Sequence, residues 1–242
     1  MATLTHLGFV DALRLEAGQV SVLLAAADLA APVRSCPGWQ VRDLVEHLGG
    51  VHRWTTEILR TGERAHFPDS PAGDELVRWF DDGAETLART LADADPASPC
   101  WTMAPPNEVG FWSRRQAHEA MIHRWDLAVA VGAPADLNPA LATDGIDEAV
   151  FTFFPRQIKL SRQAPLTDAV AIVEVGTGRR WVLEGDGTTT NHDTTDVDVT
   201  VTGDVVQLLL LLWHRVDLAD SAVYVDGDAG AARRVLGARL TP

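Results

Sequence analysis

Over residues 4–29 the apolar positions Leu7, Val10, Leu13, Val20, Leu23 and Leu24 recur mostly at steps of three or four, which lines one face of a helix. Pro32 and Pro37 interrupt the pattern. It resumes from Trp39 through Val41, Leu44, Val45, Leu48, Val51 and Trp54 toward Thr61 and Gly62, and predicts a second long helix. After a loop over 63–73, Leu76, Trp79, Phe80, Leu87 and Leu91 mark a third, ended near Asp95 and Pro96. A proline-bearing connection over 96–107 leads to a fourth helix over 112–131, with Ala117, Met121, Trp125 and Ala128 along one flank and Gly132 and Pro134 closing it. Four long helices on short or moderate loops predict a bundle.

Asn138 before Pro139 is a good N-cap and first-turn pair, so a fifth helix is expected over 139–154, with 155–165 as a link. The texture then changes. Val170, Ile172, Val173 and Val175 lead through Gly176 and Gly178 to Trp181, Val182 and Leu183, which reads as a hairpin. Val197, Val199 and Val201 alternate with polar residues, Asp204 can cap a helix through Leu212, and Val223 to Val225 make a short strand. Asp228 can cap a last helix through Leu236, and 188–195 reads as a polar loop. The expected class is α+β, with a four-helix bundle over 1–160 and a small α+β domain over 165–242.

Lys and Arg number 20 against 34 Asp and Glu, a formal charge of −14, which would repel a phosphate backbone at long range and argues against a nucleic-acid partner. The longest apolar run, from Val205 to Trp213 and broken only by Gln207, is far short of the roughly 20 residues of a membrane span. Asp11, Arg14 and Glu16 interrupt what would be the apolar part of a signal peptide, so a cytoplasmic location is expected. Cys36 and Cys100 are isolated, which signals neither a disulfide framework nor a cysteine zinc site. Cys36 reads as a packing residue beside Pro37.

The fourth helix carries the richest chemistry, from Trp112 to Asp126. His118 and His123 lie about 140° apart around a helix, so the zinc-protease spacing fails. Glu119 and His123 are four residues apart, roughly 40° around, and can point at one ion. A third ligand must come from elsewhere, and the second helix offers Glu46, His47 and His52. His47 falls between Leu44, Leu48 and Val51 on the face that turns inward, where it needs a polar partner. On spacing alone the alternative stands that His47 is a hydrogen-bonded core histidine and that Glu119 and His123 are a surface pair.

Two blocks change that balance. Cys36-Pro37-Gly38-Trp39 followed by Asp43-Leu44-Val45-Glu46-His47-Leu48, and Arg114-Arg115 followed by Glu119 and His123-Arg124-Trp125-Asp126, resemble the mycothiol-dependent maleylpyruvate isomerase family, within the DinB-like group of metal-binding bundles. Gly203-Asp204 leading to Leu208–Leu212 and then Trp213-His214-Arg215 is similar to that family's sterol-carrier-like domain. The resemblance implies that His47, Glu119 and His123 bind a divalent metal, zinc by type, and that the cofactor thiol is mycothiol.

Two imidazoles and a carboxylate leave a position open on a zinc-like ion, as in catalytic sites. A small thiol bound there is favoured as its thiolate and can attack an electrophile, leading to isomerisation or conjugation. Arg114, Arg115 and Arg124 form a basic patch in an acidic chain, and guanidinium groups suit a carboxylate substrate. Arg115 is expected to contact the cofactor and Arg215 to be catalytic. Asp126 can hold an imidazole N–H of His123 or stand as a solvated charge. The competing expectation is a metal- or ligand-binding protein without turnover on the same fold.

Overall fold

The structure, a computed structural model, describes residues 4–71, 75–188 and 192–242. The loops expected over 63–73 and 188–195 therefore extend onto residues outside those described. The chain forms two compact units, Met1–Leu137 and Asn138–Pro242. Among the described residues, no helix is long and apolar enough to cross a membrane.

Among the described residues, the first unit is built on four long helices: α1 (His6–Leu24), α2 (Val41–Thr61), α3 (Leu76–Asp93) and α4 (Val109–Ala130). Local chemistry sets their ends. Thr5 Oγ1 accepts from Gly8 N, the Gln40 amide donates to Asp43 Oδ2 at 2.7 Å, and α2 stops at Gly62 in the left-handed region with φ 76°. α1 packs on α3 and α4, and α2 on the same two, so α2 and α4 are neighbours.

Two apolar clusters occupy opposite ends of the bundle: one holds Val20, Leu44, Leu48, Phe80 and Leu127, the other Leu13, Ile58, Leu87 and Trp112. Between them along the helices fall the buried polar residues Glu16, His52, Thr55 and His123. α4 is buried on nearly every side, including Arg115, Gln116, His123, Arg124 and Asp126. A buried charge needs a partner, so the fold of this helix depends on polar pairing as much as on apolar contact. The basic patch expected of its arginines is replaced by such pairing: Arg124 Nε donates to Glu16 Oε2 at 2.7 Å, with both residues 5% exposed or less.

The second unit opens with α5 (Pro139–Glu148), capped by Asn138 Oδ1, and continues through a π-helical turn (Ala149–Phe153) into α6 (Phe154–Lys159). Helix thus runs into the stretch expected as a link, because Pro155 stands in the first turn of α6, where its missing N–H is harmless. The strands β1 (Leu166–Glu174), β2 (Arg180–Gly185), β3 (Val199–Gly203) and β4 (Tyr224–Gly227) form one sheet in the order β2-β1-β3-β4. β1 pairs antiparallel with β2 and parallel with β3, and β4 runs antiparallel to β3. α7 (Val205–Leu212) and α8 (Ala229–Leu236) start at Asp204 and Asp228, whose carboxylates accept from backbone amides. α5 packs against α7, and the break between units falls at Leu137/Asn138. A helix's apolar stripe says that it buries a face; it does not say against what.

Candidate metal centre

The segment between α1 and α2 fixes the first part of the site. Trp39 N donates to Cys36 O at 2.9 Å across Pro37 and Gly38, and Gly38 has φ 87°. Proline second and a left-handed glycine third make this a type II turn. Val33 N donates to Trp39 O at 2.8 Å, which fastens the turn to the segment entering it. Trp39 is thereby laid against two histidines, its ring centre 5.1 Å from that of His47 and 5.9 Å from that of His123, nearly parallel to the latter at 21°.

His47 on α2 and Glu119 and His123 on α4 converge. His47 Nε2 donates to Glu119 Oε1 at 2.8 Å, and His123 Nε2 is 3.5 Å from the same oxygen. One donor atom from each of the three lies within 4.8 Å of the others. The other oxygen of Glu119 is held by Arg115 Nη2 at 2.5 Å, and the far side of His123 by Asp126, which accepts from Nδ1 at 2.9 Å. Asp126 is fully buried and Arg115 is 1% exposed, so both are committed to the interior. Burial would push the Glu119 carboxyl up, but the Arg115 charge and the bonds from His123 and His47 outweigh it and hold it well below the usual carboxylate range. Burial would push His123 down, and its bonds to Asp126, Cys36 and Glu119 outweigh it and raise it well above 6.5.

Of the residues singled out in the sequence, His47, Glu119 and His123 are brought together. His52, the alternative on α2, is 1% exposed against Phe80, with neither ring nitrogen hydrogen-bonded, and burial lowers its pKa to about 3. Glu46 is 3.6 Å from Arg42. Arg115, expected to touch the cofactor, grips Glu119. Arg215 belongs to the second unit, where Nη1 donates to Trp213 O at 2.9 Å. The sequence reading missed the Arg115 to Glu119 clamp, although its spacing of four residues signals it. It also missed Cys36, whose thiol donates to Asp126 Oδ2 at 3.4 Å, and no sequence signal marks that contact.

A cleft of about 490 Å³ opens beside His47, lined also by Trp39, Asp43, Glu46, Phe67 and Asp69. A cavity of about 530 Å³ lies in the second unit between the residues after α7 and α8. Among the described residues the clusters of metal-type donors are in the first unit, so donor chemistry and not volume locates the candidate site.

Comparison with known proteins agrees with this architecture. The family model for the mycothiol maleylpyruvate isomerase N-terminal domain matches residues 13–128, and that for the C-terminal domain of the same family matches residues 140–234. The chain belongs to the mycothiol maleylpyruvate isomerase family, a family of enzymes. A crystal structure of the mycothiol-dependent maleylpyruvate isomerase superposes with a TM-score of 0.68 at 14% identity, covering 95% of this chain and 98% of that one. A histidine-to-alanine mutant of that isomerase superposes with a TM-score of 0.63 at 14% identity, covering 87% and 91%. At such identity the likeness is one of fold. Uncharacterized proteins from two strains of Mycobacterium tuberculosis are 26% identical over 129 residues, which is 51% of this chain and 66% of theirs, just under two thirds of their length.

Proposed function

We propose that the protein is a metal- and mycothiol-dependent isomerase of a small, unsaturated, anionic electrophile of the maleylpyruvate type, with a divalent ion held by His47, Glu119 and His123. The observation that carries this reading is the convergence of three donor atoms within 4.8 Å, with Arg115 and Asp126 bonded to their outer sides. Two nitrogens and one oxygen suit zinc and leave room for a further ligand. When bound, the ion stabilises the mycothiol sulfur as a thiolate. This needs no protein cysteine as nucleophile.

The chain's own residues supply the rest. Arg115 keeps Glu119 ionised and occupies Oε2, which reserves Oε1 for the ion. Asp126 takes Nδ1–H of His123 and so directs Nε2 toward the centre. Trp39 walls the two histidines, and the cleft beside His47 receives the organic part of the thiol. Mycothiol bound there would supply a sulfur nucleophile able to add to the activated double bond and leave again, with the electron pair held meanwhile on the conjugated carbonyl, so that rotation about the carbon–carbon bond would convert cis to trans.

The test is turnover by zinc-loaded protein with mycothiol and maleylpyruvate, followed as cis–trans conversion together with free thiol. The reading expects conversion that requires catalytic mycothiol and falls about 100-fold or more in His123→Ala. Thiol consumed in step with substrate would make the protein a conjugating transferase. Metal binding with neither conversion nor thiol loss would contradict catalysis and leave a binding protein.

A further inference from the structure

The turn Cys36-Pro37-Gly38-Trp39 reaches α4 with both of its ends. Trp39 lies nearly parallel to the His123 ring, and Cys36 Sγ donates at 3.4 Å to Asp126 Oδ2. That oxygen is the one that accepts His123 Nδ1 at 2.9 Å. Cys36 is half-buried, Asp126 has no exposed side-chain surface, and Cys36 Sγ, Asp126 and His123 place a donor atom each within 4.8 Å of one another.

We propose that Cys36 is a positioning residue of the candidate metal centre: its thiol fixes the Asp126 carboxylate, which fixes the rotation of His123 and aims Nε2 at Glu119 and His47. This rests on the metal-centre reading above. A carboxylate has two oxygens and can rotate about its bond to Cβ. Any swing of the carboxylate carries the imidazole with it, because His123 Nδ1 is bonded to Asp126 Oδ2. A second donor on the same oxygen pins it, as outer hydrogen bonds commonly do for ligating histidines. The type II turn holds the thiol in place, since Cys36 O and Trp39 N close it and Gly38 supplies the left-handed residue it requires. Trp39 restrains the ring face and Cys36 its edge. A residue before α2 is thereby coupled to a ligand on α4.

The test compares zinc affinity, by competition with a chromophoric chelator, in the full-length protein and in Cys36→Ser, Cys36→Ala and Asp126→Asn, each beside its metal-free melting curve. Serine keeps a donor at the same place and alanine removes it. Positioning predicts affinity near wild type for Cys36→Ser, a loss of about five- to tenfold for Cys36→Ala, and about 10- to 100-fold for Asp126→Asn. Mere packing predicts the reverse order for the cysteine variants, with apolar alanine tolerated better than serine, and that result overturns the proposal. So do equal affinities in wild type and Cys36→Ala. Two zinc ions per chain with one lost in Cys36→Ser would make Cys36 a ligand and also overturn it. Wild-type protein that binds no zinc defeats the metal-centre reading and the positioning role together, which distinguishes that failure from the others.

Discussion

His47 Nε2 and Glu119 Oε1 stand 2.8 Å apart across 72 residues of sequence, joining α2 to α4 at a carboxylate whose other oxygen is held by Arg115. The two partners of that contact differ in what their loss exposes. In metal-free protein His47→Ala removes one hydrogen bond from a carboxylate that Arg115 still neutralises, and costs about 1 kcal/mol. Glu119→Gln leaves the guanidinium of a residue only 1% exposed facing a neutral amide, and costs about 3 kcal/mol or more. Urea unfolding of the two variants checks the order, and equal losses would contradict it.

The same reasoning applies to Glu16 and Arg124, 3% and 5% exposed and bonded at 2.7 Å. Glu16→Ala strands a buried cation and lowers stability by about 3–5 kcal/mol, while Glu57→Ala, whose partner Arg60 is on the surface, leaves the melting temperature close to wild type. Thermal melting of both tests this contrast.

Gly49 sits inside α2 under the indole of Trp79, where an added Cβ would lie 2.3 Å from the ring. Alanine gains about 1 kcal/mol of helix propensity and loses about 1–3 kcal/mol to overpacking against α3. Gly49→Ala is therefore destabilising, and paired with Trp79→Leu it becomes neutral or better. Chemical denaturation of the single and double variants measures it.

His52 makes the fold acid-sensitive. Its pKa is lowered from 6.5 to about 3 by burial first and by the nearby Arg53 charge, so below pH 6.5 the unfolded chain takes up a proton that the folded one refuses. The stability lost is small at neutral pH, grows as pH falls through 6.5, and reaches about 1.4 kcal/mol at pH 5.5. His52→Leu removes this slope. Stability measured between pH 7.5 and 5.5 in both proteins, about two units spanning the unfolded value, shows a difference that widens on acidification, and parallel curves would contradict it.

Much of this molecule is legible in its sequence where the signal is local. The caps at Asn138, Asp204 and Asp228 act on the amides just after them, and the structure shows those bonds. The turn at Pro37 and Gly38 and the hairpin of β1 and β2 are equally short-range. The four-residue spacing of Glu119 and His123 shows which side chains share a helix face, and the structure gives that face to His47. What escapes is pairing at long range. α4 has no single apolar face because its charged residues are buried with partners, Arg124 with Glu16 being the clearest case. The parallel pairing of β1 with β3 and the packing of α5 on α7 join distant segments whose patterns do not name each other. Cys36 meets Asp126 only because a turn before α2 lies over α4.

Elemental analysis of purified protein supplied with zinc, for the wild type beside His47→Ala and His123→Ala, tests the central claim most directly. The account predicts about one zinc per wild-type chain and close to none in either variant, with the helical circular dichroism of all three alike. A folded wild type that takes up no zinc, or variants that keep a full complement, would contradict it.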